Sequence, residues 1–126
     1  MTSTGSNTSP LEPDAIAALI DMVGLDDPDF LIELIDTFLQ DSSAMVEMMM
    51  TNWEEQDYET VMRTAHSLKS TSATFQATYL SQLSSDLELQ LRGDDMGIDV
   101  VEQIRMIKDE YGRVKDALVI ERGKIQ

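Results

Sequence analysis

The residue of this chain best suited to chemistry is its single histidine, His66, which has a cation on either side in the sequence. Arg63 precedes it by three residues and Lys69 follows it by three. On a helix, these spacings place both cations one turn from the imidazole. Neutral imidazole is a good nucleophile near pH 7, and cations stabilise a phosphoryl group through charge-assisted hydrogen bonds. The chemistry that suits these three residues is acceptance of a phosphoryl group by the imidazole.

The helix that carries His66 is predicted to start after Asp57 and to bury an apolar stripe. The members of this stripe are Tyr58, Val61, Ala65, Leu68, Ser72 and Phe75. At about 100° per residue, His66 lies about 130° from the centre of the stripe, so we expect the imidazole to face solvent. Ser70 and Ala73 follow His66 on the same face. Because both are small, a partner can approach the imidazole closely.

The surroundings of His66 lack the parts of a self-sufficient catalyst. No Ser–His–Asp spacing, metal-ligand cluster or glycine-rich phosphate loop accompanies it. The chain has no cysteine, which excludes disulfides, thiolate metal sites and cysteine nucleophiles. The acidic segment 94–99 has the wrong residue order for a calcium-binding EF-hand loop. We therefore predict no metal site and no independent enzyme, and expect a partner to supply the missing groups.

Five amphipathic segments are predicted from apolar residues that recur every three or four positions. They cover about Pro13–Met22, Asp27–Asn52, Asp57–Phe75, Thr78–Arg92 and Ile98–Glu121. The predicted inward face of the last segment contains Val101, Ile104, Ile107, Tyr111, Val114 and Leu118. Short links between long helices imply antiparallel neighbours. The predicted fold is all-α, an antiparallel four-helix bundle with an additional short N-terminal helix. The bundle domain covers residues 11–119, with a flexible tail at 1–10 and a C-terminal tail at 120–126.

The charge of the chain is strongly negative and unevenly distributed. Its 126 residues include 24 acidic and 9 basic ones, for a formal net charge of −15. Nucleic acids and anionic membranes require a cationic surface, so neither is an expected partner. Arg63 is the first basic residue of the chain. With no apolar run long enough for a membrane span and no secretory signal pattern, we expect a soluble, cytoplasmic protein. A bundle of four helices can bury its own apolar stripes, which favours a monomer.

Three consecutive methionines, Met48–Met50, form the other conspicuous feature of the sequence. Successive residues of a helix point in different directions, so these three side chains cannot all face one core. We expect part of this run to fill the core and part to lie at the surface.

The segment around His66 resembles a known family signature. Residues 65–73 read AHSLKSTSA, which is similar to the A-H-x-L-K-G-S-S-A signature of histidine-containing phosphotransfer (HPt) domains. Upstream, residues 27–31 (DPDFL), 38–41 (FLQD) and the pair Asp57-Tyr58 resemble further stretches of the family, as do Tyr79-Leu80 and Leu87-Glu88 downstream. The resemblance covers roughly residues 11–119.

The resemblance implies a four-helix bundle in which His66 accepts a phosphoryl group. Such domains take this group from the aspartate of a receiver domain and pass it to another receiver, in response regulators and hybrid sensor histidine kinases. The receiver supplies the Mg²⁺ site, so the resemblance implies no cofactor bound by this chain. Lys69 matches the family's lysine that supports the phosphoryl group.

The resemblance also assigns supporting residues and shows two departures from the family. Glu88 occupies a position that is often glutamine in the family and that orients the imidazole, and Arg92 lies where some members have a basic residue. The family usually has glycine at Ser70 and often at Gln76, which by the helical wheel lies at the rim of the site. These departures leave an alternative open, in which the bundle docks a receiver domain without phosphotransfer.

Three of these charged residues also have ordinary structural interpretations. Arg63 could pair with Glu59 one turn earlier, an interaction worth a few tenths of a kcal/mol. Arg92 could simply complement the dipole at the C-terminal end of its helix. Glu88 could be an ordinary exposed acid.

Overall fold

The computed structural model describes residues 9–24, 27–93 and 99–125 of the chain. Its helices are α1 (Ala15–Val23), α2 (Pro28–Glu54), α3 (Tyr58–Thr74), α4 (Thr78–Arg92) and α5 (Val100–Ile125). No strand occurs within the described ranges. Most of the predicted N-terminal tail and the predicted start of the last helix at Ile98 lie outside the described residues.

Two aspartates start the helices that precede and carry the site. The Asp27 carboxylate accepts a hydrogen bond from the Phe30 backbone N–H at 2.9 Å, and Pro28 takes the first helical position of α2. The Asp57 carboxylate accepts from the Thr60 N–H at 3.3 Å and starts α3. Both caps satisfy backbone donors that have no partner within the helix.

α2 and α3 are each followed by a turn of the same type, in which a glutamine adopts a left-handed conformation. Gln56 has φ of 63° and Gln76 has φ of 61°. After α3, the Gln76 N–H donates to the Ala73 carbonyl at 3.0 Å and the Ala77 N–H donates to the Ser72 carbonyl at 2.8 Å. This is the Schellman pattern of hydrogen bonds, which satisfies the last carbonyls of a helix and reverses the chain.

The four long helices form a bundle in which each packs against two neighbours. α3 lies between α2 and α4, and α5 closes the ring by packing on both α2 and α4. Fully buried side chains from all four helices fill the centre, among them Ile35, Met49, Leu68, Leu87 and Ile107. The short α1 contacts α2 and adds Leu19 to the same core. The all-α prediction of a four-helix bundle with an additional short N-terminal helix is therefore confirmed.

The structure differs from the predicted fold at both ends of α5. Residues 120–125 continue the helix instead of forming a tail, and Arg122 binds the Asp36 carboxylate of α2 with two hydrogen bonds of 2.6 and 2.9 Å. At the other end, Val100 is buried whereas the predicted core residue Val101 is 37% exposed. Val100 precedes Ile104 by four residues and Ile107 by seven, so these three buried side chains lie on the same side of α5.

In the described part of the chain, no helix combines the length and the apolar character that a membrane crossing requires.

Candidate functional site

His66 lies on the side of α3 that faces away from the core. The helix buries Val61, Ala65, Leu68 and Ser72 against its neighbours, while the His66 side chain is 55% exposed. The structure therefore agrees with the orientation expected from the helical wheel.

A buried carboxylate on α4 contacts the imidazole. Glu88 Oε2 lies 2.9 Å from His66 Nδ1, and only 4% of the Glu88 side chain is exposed. Glu88 adjoins the buried Leu87 at the edge of the α4 apolar face. The packing of α3 against α4 thus joins two residues that are 22 positions apart in the sequence.

Two cations hold the same carboxylate. The Lys69 ammonium of α3 donates to Glu88 Oε1 at 2.9 Å. The Arg92 guanidinium, one turn after Glu88 on α4, donates through Nε and Nη2 to Oε2 at 2.9 and 2.6 Å. The cluster of His66, Lys69, Glu88 and Arg92 is called the Glu88 cluster below.

These contacts keep Glu88 ionised. Burial favours the neutral acid, but hydrogen bonds from Lys69, Arg92 and His66 outweigh it and lower the pKa of Glu88 to about 2. An ionised carboxylate only accepts hydrogen bonds, so the imidazole must donate through Nδ1–H. In the neutral ring, the lone pair available for reaction then lies on Nε2.

His66 Nε2 has no hydrogen-bond partner among the residues that the structure describes. Together with the exposure of the ring, this leaves Nε2 accessible to an incoming electrophile. Lys69, one turn later on the same helix, binds the same carboxylate as His66, and its side chain is 35% exposed. The arrangement suits attack by Nε2 on a group that carries negative charge, with Lys69 available to stabilise that charge.

Arg63 and Ser70 flank His66 on α3 but lie outside the Glu88 cluster. Both residues are exposed. Within the described ranges Arg63 forms no ion pair, so the alternative pairing with Glu59 is absent from the structure. Arg63 lines a shallow groove between α2 and α3 with Met45 and Ser67.

Gln76 does not lie at the rim of the site. α3 ends at Thr74, and Gln76 forms the turn beyond it, where its carbonyl accepts a hydrogen bond from the Glu12 N–H at 2.9 Å. Eight helical residues from His66 to Thr74 span about 12 Å. The prediction was wrong because it extended the helical wheel past the end of the helix.

Sequence reasoning missed Ser81, which braces the site from α4. Its hydroxyl donates to the Lys69 carbonyl at 2.9 Å and so fixes α4 against this turn of α3. Ser81 and Ser85 line a shallow cleft with Lys69 and Ala73. The spacing of these two serines by four residues was the available signal, since small residues one turn apart allow helices to approach closely.

Among the described residues, no group of three or more His, Asp or Glu side chains is placed to share a metal ion. The Glu88 carboxylate, which contacts His66, is already held by two cations.

Comparison with known proteins relates this geometry to a family. No curated protein matches the chain. The crystal structure of histidine-containing phosphotransfer protein B (HptB) from Pseudomonas aeruginosa PAO1 is similar to it, with a TM-score of 0.81 and 23% sequence identity, over 91% of this chain and 96% of that chain. At that identity, the likeness establishes a common fold. The Hpt domain family matches residues 33–117, which include α3, α4 and all four residues of the Glu88 cluster. The match spans more than half of the sequence, and the chain therefore belongs to the Hpt domain family of phosphotransfer proteins.

Proposed function

We propose that this protein is a phosphorelay intermediate that accepts a phosphoryl group on His66 from the aspartate of one receiver domain and passes it to another. The observation that carries the proposal is the contact between His66 Nδ1 and Glu88 at 2.9 Å on an exposed ring. It holds one nitrogen and leaves Nε2 as the nucleophile.

In the proposed transfer, the Nε2 lone pair attacks the phosphorus of the receiver's aspartyl phosphate. The N–P bond forms, the bond between phosphorus and the aspartate oxygen breaks, and its electron pair stays on the aspartate carboxylate. Lys69 stabilises the phosphoryl oxygens through charge-assisted hydrogen bonds. The Mg²⁺ ion that offsets charge on the phosphoryl group belongs to the receiver, so this chain contributes the nucleophile and the cation.

The test is transfer of radiolabel from a phosphorylated receiver domain, with Mg²⁺, to the wild-type chain and to the His66→Gln variant. We expect the wild type to carry a label that is lost in acid and stable in alkali, and the variant to carry none. Glutamine has a size similar to histidine, and a circular dichroism spectrum equal to that of the wild type is the required check that the variant is folded. Ser67→Ala, a change at the exposed neighbouring residue, is the matched control and should be labelled like the wild type.

An acid-stable label, or equal labelling of the His66→Gln variant, would show that the proposed acceptor is wrong. Calorimetric binding of a receiver without any transfer of label would identify the chain as a docking module instead.

A further inference from the structure

We infer that the negative charge of Glu88 keeps a proton on His66 Nδ1 while Nε2 carries the phosphoryl group, so that the ring releases this group without first gaining a proton. This role goes beyond orientation of the ring, which an uncharged hydrogen-bond acceptor also provides. It makes Glu88 a positioning residue that acts through His66. The inference rests on the proposed function.

The proton on Nδ1 matters because it decides what the ring becomes when the N–P bond breaks. Attack by Nε2 of the neutral Nδ1–H ring produces a phosphorylated ring with one positive charge. In the return step the N–P bond breaks, its electron pair stays on Nε2 and the ring becomes neutral again. No proton moves in either direction. If Nδ1 loses its proton in between, the same bond can break only with formation of an imidazolate, which is a much poorer leaving group.

The charged groups around the ring are Lys69 and Arg63 on α3 and Glu88 and Arg92 on α4. The three cations oppose a positive charge on the ring, whereas Glu88 favours it and contacts Nδ1 directly at 2.9 Å. Among the described residues of α2 and α5, none forms a hydrogen bond or ion pair with the Glu88 cluster.

Phosphorylation changes the charge balance of the Glu88 cluster. The phosphoryl group brings about two negative charges, and Glu88 brings one. Lys69, Arg92 and the protonated ring together bring three positive charges, so the phosphorylated cluster is neutral only when Nδ1 keeps its proton. With glutamine at position 88, the phosphorylated cluster is neutral when Nδ1 has lost its proton. The low pKa of Glu88, about 2, means that its charge is present throughout the neutral range.

Arg92 makes this charge permanent during transfer. Lys69 binds Oε1 of Glu88, and it is the cation that the phosphoryl group attracts. Arg92 binds Oε2 through two nitrogens and thus holds the oxygen that contacts His66 Nδ1. When Lys69 turns to the phosphoryl group, the carboxylate remains in position and charged.

The experiment compares the wild type with Glu88→Gln, whose amide oxygen can still accept the Nδ1–H bond but carries no charge. Asp86→Asn is the matched control, because Asp86 is an exposed acid on the same helix and lies outside the cluster. Each protein is first phosphorylated on His66 and freed of donor. The rate of transfer to one fresh receiver with Mg²⁺ is then measured from pH 6 to pH 9.

Glu88→Gln is expected to lose transfer rate as the pH rises, and to do so at a lower pH than the wild type, because the amide lacks the negative charge that favours the proton on Nδ1. Asp86→Asn should follow the wild-type profile. Because every protein meets the same receiver, the receiver's own pH dependence cancels in the ratio of rates. Coinciding profiles for the wild type and Glu88→Gln overturn the inference.

A second measurement needs only the wild type and so does not depend on folding of the variant. In ¹⁵N NMR spectra of the phosphorylated protein at pH 8, Nδ1 of His66 should carry a proton, and a bare Nδ1 overturns the inference. If the wild-type chain takes up no phosphoryl group on His66, the proposed function itself fails, which separates the two outcomes.

Discussion

Replacing either of the left-handed glutamines in the turns after α2 and α3 with glycine should stabilise the folded protein. A side chain at positive φ has its Cβ close to the following carbonyl oxygen, which costs about 1–2 kcal/mol, and Gln56 and Gln76 have φ of 63° and 61°. Glycine removes this cost but gives the unfolded chain more freedom, which costs about 0.4–1 kcal/mol. The expected net gain in the free energy of unfolding is about 0.5–1 kcal/mol for Gln56→Gly, whose side chain is exposed.

The same gain is expected for Gln76→Gly, and the two effects should add. The two turns lie at opposite ends of the 17-residue α3, about 25 Å apart at 1.5 Å per residue, which is far enough for independent effects. Urea unfolding followed by circular dichroism measures each free energy. For a chain of this length, each substitution should raise Tm by about 2–4 °C.

The control is the same substitution at an ordinary helical position. Gln40 is exposed in the interior of α2, so Gln40→Gly should lower the free energy of unfolding by about 1 kcal/mol. A loss of stability at Gln56 similar to that at Gln40 would refute the argument from backbone conformation. Gln76→Gly should also leave transfer to His66 unchanged, because the structure places Gln76 in the turn beyond α3.

Two further predictions concern the methionine run and the Glu88 cluster. Met49→Ala should lower the free energy of unfolding by about 2–5 kcal/mol in urea titrations, because Met49 is fully buried. Met48→Ala should change it by less than about 0.5 kcal/mol, because the Met48 side chain is 50% exposed. Equal effects of the two substitutions would contradict the orientation of α2. The pKa of Glu88 is lowered from its ordinary value of 4.5 to about 2 in the folded protein, so ionised Glu88 stabilises the folded state at pH values above 4.5. This contribution is lost as the pH falls from 4.5 towards about 2. Glu88→Gln should therefore weaken the loss of stability between pH 5 and pH 2 in urea titrations, and an unchanged loss would show that Glu88 does not contribute to it.

The exposure of His66 could be predicted from the sequence because it depends on one helix alone. The apolar stripe of α3 continues regularly from Val61 to Ser72 and fixes which side faces the core. His66 lies opposite that stripe whatever the other helices do. The same regularity predicted the boundaries of α4, from Thr78 to Arg92.

The burial of Glu88 could not be read from the sequence in this way. It lies beside Leu87 at the edge of the α4 stripe, where an acidic side chain ordinarily reaches solvent. It stays buried and charged because Lys69 of another helix and Arg92 of its own both donate to it. The hydrogen bonds that offset the burial of this charge form only once α3 and α4 are packed together. The helical wheel of either helix alone therefore does not determine whether Glu88 is buried.

The ends of helices were misjudged for a related reason. Gly123 is a residue at which helices often stop, yet α5 continues to Ile125. Arg122 binds Asp36 of α2, and Ile125 packs against the core, so contacts with distant parts of the chain outweigh a local signal. After α3, by contrast, the helix ends at a glutamine that gives no local signal to stop. Contacts with distant residues therefore set the end of α5, whereas the Schellman hydrogen bonds of the Gln76 turn close α3.

The Glu88 cluster shows why the proposed acceptor, His66, depends on a second helix. α3 supplies the imidazole and one cation, but nothing in α3 distinguishes the two ring nitrogens of His66. Glu88 makes this distinction, because it binds Nδ1, whereas Nε2 has no hydrogen-bond partner in the part of the chain that the structure describes. A free imidazole interconverts between its two neutral forms, so removing Glu88 would leave the reactive nitrogen unspecified even with the α3 sequence intact. The sequence around His66 therefore identifies the proposed acceptor, and the packing of α4 determines which of its two nitrogens is free to act as the nucleophile in that proposal.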